Sequence, residues 1–557
     1  MTMKNWFYIV LMAVVLLLAG CTSDKNVDPG GEEGEAKQGG DVTFAMPSDV
    51  TSLDPHGTND VPSEKVRVLI YEGLIQQDKD FEVVPQLATE WEQTDDTTYV
   101  FKLRDDVKFH SGKDFKAEDV KASLERAIDI AVASPRAYVL DMISEVNVVD
   151  DHTVEIKTEY PFAPMLNNLT SGAAKIMSKD LIDKDYQAAL DKSGLDMTLE
   201  EYYDLRDKGG KEYEDVAEKI AADLKSIIEK EPDGTGYLKF DSRNPGENTV
   251  LVKNTDYYDG EMNLDKVTFK VVTETASRLA ELESGQSELI ANVQSANIDR
   301  VENNPDVTLL RSKTVSFDYI GFNTKKKPLD DKRVRQAITH AFDKQKVVDG
   351  VYNGSGTPAN GPITPGVMGY KKDMKSLEYD VDKAKELLAE AGYEDGLKLE
   401  MVVNDDNPER MDTALYLQEA LKDIGIDLKI NQVEWGAYLE MTGAGEHELF
   451  MLGWSNGTAD PDNVITPLFI TKNHGSNGNR AFYTNEKVDQ LAEEARKEID
   501  EDKRQEMYEE IQEQIIEDAP VISVRYTENL NAHVNSLKDV VIDRYDIIDV
   551  KDAYLEE

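Results

Sequence analysis

Cysteine is almost absent from this chain, which has one, Cys21, among 557 residues. No disulfide can form within the chain, so the fold has to rest on a core large enough to stabilise it unaided. Cys21 directly follows the apolar run 6–19 and one glycine. A core thiol has no reason to lie there, so we interpret residues 1–20 as a lipoprotein signal peptide and Cys21 as the lipidation site.

Long hydrophobic runs are scarce as well. The run 6–19 is too short for an ordinary spanning helix, and no second apolar stretch is long enough to cross a bilayer. Residues 21–40 are rich in Gly, Asp and Glu, which predicts a flexible tether. We expect a folded body that begins near Asp41. The lipid on Cys21 alone would hold it at the outer face of the cell membrane, or in the periplasm where an outer membrane is present.

Basic residues are few: 62 Lys and Arg stand against 110 Asp and Glu, for a formal net charge of −48. Nucleic acid is not expected as a partner, because phosphate binding requires a basic face. Anionic lipid would be repelled too, and we interpret the acidic excess as a solvated surface. The length suffices for two or three packed units, and we expect a monomer.

Histidine and the motifs of enzymes are also scarce. The seven histidines show no H-E-x-x-H spacing, so we predict neither a zinc site nor a cofactor. Residues 453–457 match the G-x-S-x-G pattern of a nucleophile elbow, with Ser455 as the candidate nucleophile. That motif must open a helix, whereas Pro461 and Asn463 favour a continuing loop. We therefore expect a protein that is not an enzyme, with a serine hydrolase as the distant alternative.

Alternating apolar residues predict strands, and apolar residues three and four apart predict helices. The predicted strands cover 42–45, 97–103, 152–157, 267–272, 397–403, 426–430, 449–454 and 521–525. The predicted helices cover 65–74, 117–128, 213–229, 414–424, 435–441 and a segment capped by Asn485. Strands that alternate with helices in the second half indicate an α/β fold with a largely parallel sheet.

Two loops that follow these strands are candidates for ligand binding, since ligands of open α/β sheets bind outside the carboxyl ends of the strands. One loop contains Asn404 and Asp405, and the other follows Trp454 and contains Ser455, Asn456, Gly457 and Asp460. Trp454 either offers apolar area and an N–H donor to a ligand or fills the core. The Asp460 carboxylate either binds an amine or shapes the turn before Pro461.

A series of short segments carries a further signal. The most specific is 101–120, FKLRDDVKFHSGKDFKAEDV. Others, in order, are 53–55 (LDP), 59–60 (ND), 71–74 (YEGL), 85–88 (PQLA), 257–260 (YYDG), 321–323 (GFN) and 333–337 (RVRQA). With these segments the chain resembles, from about Gly40 to Tyr526, family 5 of the extracellular solute-binding proteins, the oligopeptide, dipeptide and nickel class.

The resemblance implies a two-lobed, periplasmic-binding-protein-like (type II) clamshell with an extra inserted small domain, which encloses its ligand when the lobes close. The implied parts are lobe I (41–74, 235–317 and 510–557), the small domain (75–234, with a charged helical excursion at 183–233) and lobe II (318–509). Segments 317–323 and 520–526 are expected to cross between the lobes.

The resemblance also implies a function: capture of oligopeptides and their delivery to the permease subunits of an ABC transporter. It adds Thr58 and Asn59 of the first loop to the candidate residues. Dipeptide-binding members carry an amine-binding aspartate where Gly457 stands and a carboxylate-binding arginine where Asn404 stands. Without these two anchors a strict dipeptide receptor is not expected. Receptors for glutathione or another short peptide, and for a nickel chelate, are the alternatives.

Overall fold

A computed structural model describes residues 36–37, 39–405 and 407–556. The predicted signal peptide and Cys21 lie outside these residues. The strands are β1 Ala36–Lys37, β2 Asp41–Met46, β3 Ile75–Gln77, β4 Val83–Pro85, β5 Ala88–Asp95, β6 Thr98–Leu103, β7 Ile143–Asp150, β8 Thr153–Thr158, β9 Leu238–Asn244, β10 Asn248–Lys253, β11 Lys266–Val271, β12 Leu289–Ile290, β13 Val307–Phe322, β14 Thr357–Pro358, β15 Leu397–Asn404, β16 Ile426–Val433, β17 Leu449–Ser455, β18 Val521–Val534, β19 Leu537–Lys538, β20 Val541–Ile542, β21 Ile548–Asp549 and β22 Tyr554–Glu556.

The α-helices of the same residues are α1 Val61–Ile70, α2 Ala117–Ile128, α3 Met165–Leu169, α4 Lys179–Ser193, α5 Leu199–Lys208, α6 Lys211–Ile220, α7 Thr275–Ser284, α8 Ile298–Glu302, α9 Lys332–His340, α10 Lys344–Gly350, α11 Val381–Glu390, α12 Pro408–Lys422, α13 Trp435–Ala444, α14 Asp462–Phe469, α15 Glu486–Lys497 and α16 Glu501–Asp518. None of these helices is both long and apolar enough to cross a membrane.

Two long antiparallel strands, β13 and β18, connect the halves of the main sheet. Within the described residues this sheet has the order β16-β15-β17-β13-β18-β12-β2-β11-β10-β9, with β14 paired to β18. The first part of β13 pairs with residues 528–534 of β18, and its last part pairs with residues 521–526. The register shifts between Lys313 and Phe317, so the sheet changes direction where the chain passes from one half to the other.

The half of the sheet that contains β15, β16 and β17 is covered on both faces. Successive side chains of a strand point to opposite faces, and those of β15 follow this rule: Met401 and Val403 belong to one buried cluster, and Val402 belongs to another. β15 runs parallel to both β16 and β17. Parallel strands buried on both faces are typical of α/β folds, so the predicted fold class is confirmed.

A separate four-stranded sheet, β5-β6-β8-β7, has a core of its own. Phe101 of β6 and Val154 of β8 are fully buried in that core together with Val120 of α2. Helix α2 has the bounds that its periodicity predicts. The helix predicted over 65–74 is shifted, because the Asp60 side chain accepts a hydrogen bond from the Ser63 amide and starts α1 earlier.

The charged stretch after α3 folds as α4, α5 and α6 and is held at one carboxylate. Asp129 accepts hydrogen bonds from the hydroxyls of Tyr186 (2.6 Å), Tyr202 (2.9 Å) and Tyr213 (2.8 Å). The helix predicted over 213–229 is too long, since α6 ends at Ile220. The Asp185 carboxylate accepts the backbone N–H of residues 225 and 227 and so stabilises a non-helical segment there.

Candidate functional site

The candidate loops leave the same edge of the sheet. β15 ends at Asn404 beside Val433, the last residue of β16. β17 runs parallel to β15 but pairs with it only through Leu449 and Phe450. Beyond Phe450, β17 is therefore not paired with β15, and we term this unpaired region between the two strand ends, where the loops begin, the gap.

Asp460, expected to bind an amine, is instead fully buried and already paired. Its carboxylate accepts two hydrogen bonds from the Arg504 guanidinium, at 2.8 and 2.6 Å, and a third from the Asn167 amide at 3.1 Å. Burial raises the pKa of this carboxyl, but Arg504 outweighs burial and holds the pKa below its usual range. The Asp462 amide donates a fourth hydrogen bond at 2.9 Å. These contacts favour the structural alternative for Asp460 over the amine-binding role, because its carboxylate is engaged within the chain.

The remaining residues of the second loop divide into buried and exposed ones. Trp454 is half-buried, packs against the core and donates from Nε1 to the Asn463 carbonyl at 2.8 Å. Asn456 is buried and donates to the Asp460 carbonyl at 2.9 Å. Ser455 and Gly457, by contrast, are exposed. The Trp454 N–H is thus already hydrogen-bonded within the protein. Ser455 and Gly457 are the positions of this group that solvent reaches freely.

Asn404 is buried, and its side-chain oxygen accepts a hydrogen bond from Arg410 Nη1 at 3.0 Å. Asp405 is exposed, while its backbone N–H donates to the Val433 carbonyl. Arg410 lies in the first turn of α12, whose N-cap is Asn407. Asn404 stands where dipeptide-binding members carry an arginine. In this chain an arginine six residues later, Arg410, contacts that position instead.

Arg410 also lies over an exposed aromatic ring. Its guanidinium carbon is 5.8 Å from the ring centre of Trp435. Trp435 stacks at 5.7 Å and 11° on the buried ring of Tyr438 and leaves 37 % of its surface exposed. Sequence analysis missed both Arg410 and Trp435. The signal for them is their place in the first turns of the two helices that follow β15 and β16.

A second charged group faces Arg410 across Gly453. A Cβ atom at Gly453 would lie 3.0 Å from Asp318 Oδ1 and 3.9 Å from Arg410 Nη2. The other oxygen of Asp318 accepts from Arg525 Nε at 2.8 Å. A side chain at this point of β17 would crowd Asp318, so glycine keeps the surface between this carboxylate and the Arg410 guanidinium free of a β17 side chain.

Residues distant in the chain meet on either side of this region. Gln77 donates to the Thr458 carbonyl at 3.1 Å, next to the contact between Asn167 and Asp460. On the other side, Ser295 donates to Glu409 at 2.6 Å. The loop after β17 and the start of α12 therefore contact residues that the resemblance assigns to the small domain and to lobe I, respectively.

Thr58 and Asn59 belong to a different environment. The Thr58 hydroxyl accepts a hydrogen bond from Arg67 at 3.0 Å, and Asn59 is exposed. Arg67 also donates to the backbone of Asp54, whose buried carboxylate pairs with Arg126 at 2.9 and 2.7 Å. In the part of the chain that the structure describes, no hydrogen bond joins Thr58 or Asn59 to the loops after β15 and β17.

A catalytic serine needs a base, usually a histidine, within hydrogen-bonding distance. Among the described residues, no histidine nitrogen is hydrogen-bonded to Ser455. The expectation that the chain remains a loop past Asn463 is wrong, because α14 begins at Asp462. This helix starts seven residues after Ser455, so Ser455 does not lie on a strand-to-helix elbow. Across residues 39–405 and 407–556, no group of three or more His, Cys, Asp and Glu is arranged to hold a metal ion.

Comparison with known proteins agrees with this architecture. Residues 82–476 match the family described as bacterial extracellular solute-binding proteins, family 5. The chain is 29 % identical to the glutathione-binding protein GsiB of Escherichia coli (89 % of this chain, 91 % of that one). It is also 29 % identical to heme-binding protein A of Haemophilus influenzae (94 % of each chain).

A solved structure is similar over nearly the whole chain. It is the ABC transporter-associated periplasmic binding protein DppA of Helicobacter pylori in complex with the peptide STSA. The identity is 30 % and the TM-score 0.73, over 94 % of this chain and 99 % of that one. With the family match, the two-lobed sheet and the site at its edge, these findings show that the chain belongs to family 5 of the bacterial extracellular solute-binding proteins.

Proposed function

We propose that this protein captures peptides outside the cell and delivers them to the permease of an ABC transporter. The observation that carries the proposal is the gap between the ends of β15 and β17. In the proposed clamshell this gap faces the other lobe, and β13 and β18 join the two lobes. The similar DppA structure contains a bound peptide. A ligand in that gap would contact both lobes.

A ligand that contacts both lobes would favour the closed arrangement of the lobes over the open one. A ligand shifts a conformational equilibrium only by the difference in its affinity for the two states. Residues 313–317, where the register of β13 shifts, provide a place for the lobes to turn. We expect small-angle scattering to report a more compact particle at saturating peptide. An unchanged radius of gyration would contradict closure.

Recognition through the peptide backbone fits the geometry of β17. Beyond Phe450 the described chain provides no pairing partner for β17 on the β15 side, so an extended peptide has a strand edge to pair with. Main-chain hydrogen bonds are indifferent to sequence, and exposed Gly457 allows a close approach of a ligand backbone. These features favour oligopeptides with modest side-chain selectivity.

Glutathione is the second candidate ligand. It is favoured by the 29 % identity to GsiB over 89 % of the chain. A nickel chelate and hydrolysis at Ser455 have no comparable support, and we propose binding without covalent chemistry. Ser455→Ala should therefore leave peptides intact, as the wild type does, and weaken binding at most slightly.

Mass spectrometry of the ligand released from freshly purified protein tests the function directly. We expect co-purifying peptides, and calorimetric titration of the emptied protein with those peptides should give saturable binding. Recovery of glutathione would favour the second candidate. Failure of both peptides and glutathione to bind would overturn the proposal.

Attachment to the membrane is proposed to rest on Cys21. A single acyl chain binds membranes only marginally, whereas several chains give stable anchoring. Cys21→Ala should release the protein into the medium or leave it uncleaved. Normal processing and wild-type membrane association of this variant would show that the anchor lies elsewhere.

A further inference from the structure

We propose that Arg410 binds a carboxylate of the ligand and that Trp435 holds the guanidinium in position for it. The proposal rests on the function proposed above and specifies the ligand as a short peptide with a free carboxylate. It also gives the chain a carboxylate anchor, although Asn404 stands where dipeptide-binding members carry an arginine.

The first observation is that the charge of Arg410 has no opposite charge as a partner among the described residues. Its side chain donates to the neutral amide of Asn404. In the described part of this acidic chain, no carboxylate lies within ion-pair distance of it. Other arginines without a carboxylate are satisfied differently: Arg278, for example, donates to four backbone carbonyls. Arg410 has donors left for a ligand.

The second observation is the position of the group. Arg410 Nη2 lies close to Gly453, in the gap where β17 separates from β15. A peptide paired with the open edge of β17 would run past Gly453 and bring its end to this guanidinium. Because Gly453 has no side chain, the space between Arg410 and Asp318 remains open for the ligand.

The third observation is the support beneath the guanidinium. Trp435 lies under Arg410 and stacks on Tyr438, whose ring is buried and whose hydroxyl donates to the Met451 carbonyl at 2.7 Å. The cation–π contact and the Asn404 hydrogen bond restrain the guanidinium from two sides. A planar guanidinium fixed in this way matches the two oxygens of a carboxylate.

The test compares paired ligands that differ only at the carboxylate. Calorimetry would measure trialanine, trialanine amide and reduced glutathione against wild type, Arg410→Met, Arg410→Lys and Trp435→Ala. Arg300→Met is the matched control, since Arg300 pairs with Glu283 on an exposed surface. Thermal unfolding of each variant would show that the protein remains folded.

We expect wild type to bind trialanine roughly ten- to hundredfold more tightly than its amide, as a charge-assisted hydrogen bond allows. Arg410→Met should abolish this difference, Arg410→Lys should keep part of it, and Arg300→Met should keep all of it. A weaker affinity of Arg410→Met for glutathione would extend the role to that ligand.

Two outcomes would overturn this inference and leave the proposed function standing. One is a wild type that binds trialanine and its amide equally, and the other is an Arg410→Met variant that loses affinity for both ligands to the same extent. The second outcome would mean that Arg410 only shapes the site. A wild type that binds no peptide and no glutathione would instead overturn the proposed function and, with it, this inference.

Discussion

The loops that follow β15 and β17 begin at the same edge of the sheet but use their charges in opposite ways. After β17, the buried Asp460 carboxylate has Arg504 and Asn167 as partners. After β15, the Arg410 guanidinium donates to the neutral amide of Asn404, pairs with no carboxylate of the described residues and lies beside a half-exposed tryptophan. A charge satisfied within the chain stabilises the fold, whereas a charge left unmet at a lobe boundary remains available to a ligand.

The largest effect expected from this comparison is on stability. Asp460→Ala should lower the free energy of unfolding by about 3–5 kcal/mol, because it leaves the Arg504 guanidinium buried and unpaired. Urea unfolding followed by circular dichroism measures the change. Arg410→Met should change stability far less, and the double variant Asp460→Ala, Arg504→Met should recover part of the loss.

Asp106→Ala is the matched control, since it removes an ion pair with Arg104 in which the aspartate is 54 % exposed. Exposed pairs contribute little. If Arg410→Met destabilised the protein as much as Asp460→Ala, the distinction between the two loops would fail.

A second carboxylate whose hydrogen-bonding capacity is met within the chain tests whether the distinction extends to the predicted small domain. Asp129→Ala removes the acceptor of three buried tyrosine hydroxyls, and an unsatisfied buried donor costs about 1–3 kcal/mol. We expect a loss of about 3 kcal/mol, together with faster proteolysis within residues 194–210. Tyr213→Phe, which removes a single hydroxyl, should have a clearly smaller effect. An unchanged digestion pattern would show that the three helices dock by other contacts.

The buried cluster around Asp54 predicts a dependence on pH. Burial and the nearby Arg126 lower the pKa of His56 to about 3. The folded state then binds fewer protons than the unfolded state between pH 6.5 and about 3, so stability falls as pH falls through that range. The slope contributed by one such histidine is at most about 1.4 kcal/mol per pH unit.

His56→Gln removes this titration, so its stability should decline less steeply than that of wild type between pH 6.5 and 4. Urea unfolding at a series of pH values measures both slopes. Equal slopes would mean that His56 does not carry the effect. The Asp54 carboxyl, whose pKa is about 2 because Arg126 outweighs burial, loses its contribution only below about pH 4.

The smallest expected effect is a gain of binding in the loop after β17. A Cβ atom at Gly457 would meet nothing within 4 Å, so Gly457→Asp should fit and provide the carboxylate that Asp460 does not. Affinity for a free-amine peptide should rise by about tenfold, in line with a charge-assisted hydrogen bond. Neither the N-acetylated peptide nor the Gly457→Asn control should gain. Equal gains for both peptides would show that the new side chain acts by packing.

Much of the fold was predictable because it depends on residues near one another along the chain. Periodicity gave the bounds of α2, and alternation gave β6, β8 and β15 within one residue. The start of α1 was missed because capping by Asp60 overrides the apolar pattern. The end of α6 was missed because the Asp185 carboxylate binds two distant amides.

The candidate site was predictable in its place but not in its chemistry. The order of strands and helices placed the loops of Asn404 and Trp454 at one edge, since parallel strands end together. Sequence alone could not show that Asp460 pairs with Arg504, which lies 44 residues away. Nor could it show that Arg410 pairs with no carboxylate in the part of the chain that the structure describes.

The sequence by itself determined the order of strands and helices, the resemblance to family 5 and the predicted lipid anchor at Cys21, because each depends on a local pattern of residues. Only the tertiary structure decided which charges are satisfied and which remain open to a ligand. The physical reason is that pairing and desolvation of a charge depend on atoms within a few ångströms, and in this protein those atoms come from segments far apart in the chain.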